Sequence, residues 1–278
     1  MAVITFWNNN TGKIGQTHSA IAIATYMAIE HNHKILLLST RHNDEVSMQA
    51  FGFKKNDKAL GSILGNKVKM DLESGINAIS KLALSNRLTP EVMPNYTRVI
   101  FKQRLEVLSG PTGMDYEKVY SSCKNIVNVA KRYYDIVFVD LNNGLEEEMT
   151  REILNISNII IANIEQKPSE LEEIKRLKES NLLSSEKSLL LMNKYDRDSK
   201  YSIKNSTRYL NEKSDILSVP YNNIFAEAVQ EGTVPELFLN PRIRKLEGTE
   251  DKNAFFISEL KRASDAIIYK LRELQMKV

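Results

Sequence analysis

Short apolar runs alternate along the chain with longer stretches of helical periodicity. AVITFW (2–7), KILLLS (34–39), LEVLSG (105–110), DIVFVD (135–140), NIIIAN (158–163), KSLLLMN (187–193) and DILSVP (215–220) are each a few residues long and apolar nearly throughout. Unbroken apolarity is how a strand reads when both faces of its sheet are covered. Between these runs, 17–31, 114–134, 168–181 and 201–211 carry helical spacing. The first, THSAIAIATYMAIEH, alternates at its centre like a strand, but its length without a breaker favours a buried helix. Strands alternating with helices predict an α/β fold. We expect a single domain over 1–278, with a mostly parallel twisted sheet of about seven strands and helices on both faces.

Two regions stand apart. The stretch 43–104 is less regular, with short helical patterns at 56–65 and 70–83 and a boundary at Thr89-Pro90, and it reads as a helical insertion on the rim of the sheet. The final segment, 253–277, places Phe256, Leu260, Ala263, Ile267, Leu271 and Leu274 at three-four spacing. Lys261, Arg262, Lys270, Arg272 and Glu273 lie largely off that stripe. A closing helix packed on the sheet is the expectation, and a basic amphipathic helix at a membrane surface is its rival.

Composition narrows the classes. With 42% hydrophobic and 26% charged residues the chain has the make-up of a globular protein. Its one cysteine, Cys123, rules out a disulfide framework or a cysteine-rich zinc site and suits a reducing compartment. No apolar run reaches the roughly 18 residues of a membrane span, and MAVITFWNNN lacks the charged start of a secretory leader. A cytoplasmic location follows as the expectation, with peripheral contact at the inner face of the membrane if the last helix binds lipid. A net charge of +3 and scattered basic residues, clustered only at Arg242-Ile243-Arg244-Lys245 and in the last helix, argue against DNA.

The candidate chemistry sits where the first strand runs through NNNTGKIGQTHS straight into a helix. Small residues there let backbone N–H groups approach a polyphosphate, and the helix N-terminus adds a favourable dipole. Gly12 and Gly15 supply the tight turn, and Thr17 stands where a hydroxyl reaches Mg²⁺. Further on, Asp140 ends the strand of DIVFVDLNNG, Asn193 ends that of LLLMNKYD, and SVPYNNIFAEAVQEG follows the last apolar run.

This order of motifs resembles the ParA/MinD family of deviant Walker A P-loop ATPases over nearly the whole chain, from about Ala2 to Ile268. The family loop runs approximately Lys-Gly-Gly-x-Gly-Lys-Thr-Thr, and Thr11-Gly12-Lys13-Ile14-Gly15-Gln16-Thr17-His18 aligns with it without gaps. Phe6-Trp7 followed by Gly12-Lys13-Ile14-Gly15-Gln16-Thr17 is most similar to the divergent loops of the CpaE/TadZ-like branch, which is associated with Tad-type pilus or conjugation loci. The resemblance implies that Gly12, Lys13, Ile14, Gly15, Gln16, Thr17 and His18 line the phosphates of ATP. It also implies that Thr17 and Asp140 hold Mg²⁺, that Gly144 closes the loop beyond Asp140, and that Asn193, Pro220 and Tyr221 surround the base.

Three departures qualify it. The family's signature lysine, which crosses the dimer, aligns with Thr11. Its phosphate lysine aligns with Gln16, and Ser39 occupies the position of the acid that orients the attacking water. Lys13 and Arg41 are the nearest cations that compensate, if they are not solvated, and Asp44 or Glu45 the nearest acids. Phosphoryl transfer is mostly positioning and charge stabilisation, so fast hydrolysis is not expected. Three readings stand at this point. One is a dimeric nucleotide switch that localises secretion, pilus or conjugation machinery. The second is a pseudo-ATPase scaffold without nucleotide binding, and the third a partition ATPase that binds DNA non-specifically.

Overall fold

The computed structural model describes residues 1–10, 12–53, 75–112, 116–142, 144, 148–180, 182–184, 186–212, 215–244, 246 and 250–276. Eight strands among them form one sheet: β1 (Ala2–Trp7), β2 (Ile35–Ser39), β3 (Arg98–Phe101), β4 (Leu105–Leu108), β5 (Ile136–Asp140), β6 (Ile159–Ile164), β7 (Ser188–Tyr195) and β8 (Leu217–Pro220). Their order is β3-β4-β2-β5-β1-β6-β7-β8. All neighbours pair in parallel except β3, which runs antiparallel to β4. The chain reverses on both sides of β1, so the loops leaving β1, β2, β5, β6, β7 and β8 all open on one edge of the sheet. Ligands bind at that edge in open α/β sheets.

The seven expected strands are present, and the sheet holds one more. Missed was β3, whose residues are only half-buried and whose Val99 is exposed. It pairs through a turn with Gln103 at φ +58, and no Asn-Gly or Gly announces that turn in the sequence. The region 43–104 is therefore not purely helical. It holds a short helix (Val46–Ala50), a longer one (Ile76–Leu84), a 3-10 turn (Pro90–Asn95) and then β3. The pattern at 56–65 lies outside the described residues, as does the start of that at 70–83. The single helix expected at 114–134 is broken into Tyr116–Tyr120 and Cys123–Ala130. Ser121 and Ser122 hydroxyls donate to the carbonyls of Lys118 and Val119 at the break, where they compete with the helical ladder.

The core lies on both faces of the sheet. Along β1, Val3 and Trp7 join one cluster and Ile4 and Phe6 the other, as the period of two requires. Helix α1 (Gln16–Glu30) is apolar nearly all round because it is covered twice, by the sheet on one side and by the helices Val234–Leu239 and Lys252–Met276 on the other. The C-terminal stripe serves that purpose. Phe256, Leu260, Ala263 and Ile267 are buried, and Leu271 and Leu274 pack against the same cluster. The membrane-surface alternative thereby loses its apolar face, and no described helix is long and apolar enough to cross a membrane. On the same face the helix Asn223–Glu231 ends at Gly232 (φ +81), which lies against the backbone of Gln49 and Gly52.

Candidate nucleotide site

Helix α1 starts abruptly. Gly15 is its N-cap, left-handed at φ 88, and no side chain caps the helix. The N–H groups of the first turn therefore have no partner within the helix and face the loop, which is the arrangement that takes an anion. Gly12 and Lys13 are exposed and Ile14 is buried. Thr11 lies outside the described residues.

The side chains of the next two residues turn to Asp140. Thr17 Oγ1 donates to Asp140 Oδ2 at 2.6 Å. Gln16 does not reach toward the loop: its Nε2 donates to Asp140 Oδ1 (2.7 Å), Leu141 O (2.8 Å) and Phe6 O (3.1 Å), and its Oε1 is a buried acceptor without a partner. Parallel pairing sets Asp140 between Phe6 of β1 and Ser39 of β2, so Ser39 stands directly beside it. Gly144 (φ +85) closes the following turn, donating to Asn8 O and accepting from Trp7 Nε1, both at 3.1 Å.

Burial pushes the Asp140 carboxyl up to about 6. The Arg41 charge and hydrogen bonds from Thr17 and Gln16 pull it down, and Asp44 adds to the rise. Arg41 is thus electrostatically coupled to the site. Asp44 is engaged with Ser47, accepting from its N and Oγ. The raised value has a sign for stability. The native state holds the proton over a range where the unfolded chain releases it, so stability falls as pH rises from about 4 to about 6. The loss is on the order of 3 kcal/mol for a shift of about two units. Denaturant titrations of wild type and Asp140→Asn across that window check this, and the variant is expected to lack the component.

Both flanks of the loop are tied down. On one side Asn8 Nδ2 donates to Asn163 O (2.5 Å) and Glu170 Oε2 (3.2 Å), Asn9 Nδ2 to Glu173 Oε1 (2.6 Å) and Asn10 Nδ2 to Glu170 Oε1 (2.6 Å). Both acids belong to the helix Pro168–Glu179. On the other side Lys194 Nζ donates to the carbonyl of Lys13 at 2.9 Å and pairs with Glu165 at 3.3 Å. Its stem lies 3.4–3.5 Å from where a Cβ on Gly15 would be. Sequence reasoning passed over Lys194, Glu165 and the asparagine ladder. The only trace of them was polar density at two strand ends.

Of the expected base-side residues, Asn193 is buried and accepts from Ser19 Oγ at 2.7 Å, while Pro220 ends the neighbouring strand and Tyr221 is exposed beyond it. His18 meets Phe225 edge-on, and burial, reinforced by the Lys194 charge, holds its imidazole below the ordinary value. The residues present fit a nucleotide with Mg²⁺ in two respects. The uncapped helix start supplies backbone donors, and Thr17, Asp140 and the orphaned Gln16 Oε1 form the all-oxygen set that a hard cation takes.

No protein-family model matches the chain, and no curated protein matches it. Solved structures do. A ParA family ATPase from Chlorobium tepidum TLS superposes with a TM-score of 0.68 at 13% identity, over 94% of this chain and 98% of that one. The fold here is that of ParA and MinD. The septum site-determining protein MinD of Pyrococcus horikoshii OT3, complexed with Mg-ADP, gives 0.62 at 16% identity, covering 97% and 98%. A chain of the MinC:MinD cell division protein complex of Aquifex aeolicus gives 0.61 at 17%, covering 95% of each. In this ParA/MinD-like architecture the Gly15 turn, Asp140 and Asn193 all lie on the sheet edge where β1, β5 and β7 end.

Proposed function

We propose that the protein is a nucleotide-dependent localisation or assembly protein of the TadZ/CpaE type. It binds a nucleoside triphosphate with Mg²⁺, ATP by the family resemblance, and hydrolyses it slowly or not at all. The backbone of Gly12–His18 takes the phosphates, Thr17 and Asp140 hold the metal, and Asn193, Pro220 and Tyr221 flank the base. Bound Mg²⁺ would neutralise phosphate charge. The protein works as a homodimer in the cytoplasm and positions secretion, pilus or conjugation proteins. The observation that carries this reading is the Thr17–Asp140 pair directly beneath an uncapped helix start, an arrangement that packing alone does not require.

Slow turnover follows from the same residues. Position 16 carries no cation, Ser39 cannot orient water as a carboxylate does, and Asp44 is engaged with Ser47. Positioned cations and donors are each worth about 10²–10³ in rate. The rival reading, a scaffold without nucleotide, rests on Gln16, whose bonds to Asp140 occupy the site from within. Titration calorimetry with non-hydrolysable purine triphosphate analogues and Mg²⁺, alongside a solution mass measurement, separates the two. Micromolar binding with a shift from monomer to dimer is expected. No heat at millimolar analogue and an unchanged mass would leave the scaffold.

A further inference from the structure

Sheet order fixes where each part of the candidate site stands. Across the edge on which the loops open, β8 and β7 come first, then β6, β1, β5 and β2. Asn193 and Pro220 mark one end, the start of α1 beyond β1 the middle, Asp140 on β5 the next place and the end of β2 the far side. Neighbouring strands lie about 4.8 Å apart, so residues leaving β7 and β2 stand about 10 Å from β1 in opposite directions. A nucleotide with its base toward β7 and its first phosphates on α1 directs its last phosphate past Asp140 toward β2.

Strand β2 delivers a cation to that place. Ser39 pairs with Asp140, and Arg41 follows two residues on. The backbone that carries Arg41 is fastened on both sides. Thr40 N donates to Asp140 O at 3.0 Å, and Asn142 N donates to Thr40 Oγ1 at 3.0 Å. Arg41 N donates to Ser39 Oγ at 3.2 Å. Asn43, left-handed at φ 53, donates its N–H to Pro111 O at 2.9 Å. Gly110, just past β4, closes on the same segment, where an added Cβ would stand 2.2 Å from Arg41 O.

The Arg41 side chain is half-buried, and its charge acts on the Asp140 carboxylate. Lys13, the other cation named beside the loop, is exposed, and Lys194 holds its carbonyl. A phosphate chain reaching Asp140 sets its own negative charge beside a buried carboxylate, and Gln16 has no charge to offset it. A guanidinium on that flank does, and its planar fork matches two phosphate oxygens at once.

We propose that Arg41 binds the terminal phosphate of the triphosphate, supplying from the end of β2 the positive charge that position 16 lacks. This rests on the nucleotide-binding reading above and adds to it the residue that tells a triphosphate from a diphosphate.

The test is calorimetric titration of the full chain with a non-hydrolysable ATP analogue and with ADP, both with Mg²⁺, on wild type, Arg41→Ala, Arg41→Lys and Lys13→Ala. A hydrogen bond between charged groups is worth roughly 10- to 100-fold in affinity, so wild type is expected to prefer the triphosphate by about that factor. Arg41→Ala should weaken the triphosphate by the same factor and leave ADP within roughly threefold of wild type. Arg41→Lys keeps the charge without the fork and should recover part of the preference. If Arg41→Ala does not fold, as its denaturation midpoint will show, Arg41→Lys carries the comparison through a reduced gap between the two nucleotides. A merely structural role for Arg41 would weaken both nucleotides alike. That outcome, a wild type without preference, a gap unchanged in Arg41→Lys and Arg41→Ala, or one that closes in Lys13→Ala instead, overturns the assignment and leaves nucleotide binding intact. Failure of both nucleotides to bind wild type at millimolar concentration overturns nucleotide binding, and the assignment with it.

Discussion

Replacing Gln16 with leucine is expected to lower stability by about 3–5 kcal/mol at pH 7, although the two side chains are similar in size. Gln16 Nε2 is a donor shared by Asp140 Oδ1, Leu141 O and Phe6 O, all inside the protein. Phe6 O keeps a second bond from Leu141 N. Among the described residues the carboxylate then keeps one hydrogen-bond donor, the Thr17 hydroxyl, and an ionised buried group that loses a donor is the costly case. With Asp140 titrating at about 6, the penalty should shrink at pH 5, where the protonated form prevails and needs fewer donors. Chemical denaturation of both proteins at pH 5 and pH 7.5 reads this directly. A loss under 1 kcal/mol, or one equal at both pH values, would show that Gln16 does not hold the carboxylate.

Gly232→Ala is the second large effect, and its origin lies in the backbone. An alanine Cβ there would stand 2.7 Å from Gly52 Cα, 2.8 Å from Gln49 O and 2.9 Å from Gly52 N, none of which belongs to a side chain that can swing aside. The residue also sits at φ +81, so local strain adds to the collision. The expected cost is about 3 kcal/mol or more, seen as a lower denaturation midpoint with an unchanged slope. Gly144→Ala is the control. Its φ is +85, but among the described residues the nearest atom to an added Cβ is Asn9 O at 3.9 Å, so only the strain of about 1–2 kcal/mol should appear. If the two variants lose the same amount, the close approach between Gly52 and Gly232 does not exist in solution.

How much of this was legible beforehand depends on which physical signal each element carries. Strands covered on both faces declare themselves by apolar runs, and β1, β2 and β4–β8 were found that way. The half-exposed edge strand β3 has no such run and turns through a non-glycine residue in a left-handed conformation, so its sequence resembled rim. The break at Ser121-Ser122 is a contest between hydroxyl and amide for the same carbonyls, which helical periodicity does not register. In the site, the loop, Asp140 and Asn193 were legible from their order along the chain. The inward turn of Gln16 was not, because an amide at that position has no fixed direction until Asp140 and two carbonyls are placed around it. Lys194 was hidden for a related reason. Its contact with Lys13 spans the sheet from β1 to β7 and depends on a positive φ that a lysine does not announce.

The ties on both flanks of the loop after β1 bear on how a ligand would arrive. Asparagines 8, 9 and 10 are fastened to the helix Pro168–Glu179, and the far side is held by Lys194. A loop so restrained has already given up most of the conformational freedom that an untethered glycine-containing turn surrenders on binding. Ligand capture should therefore proceed in a single kinetic phase, and its heat should account for most of the affinity, with only a small opposing entropy.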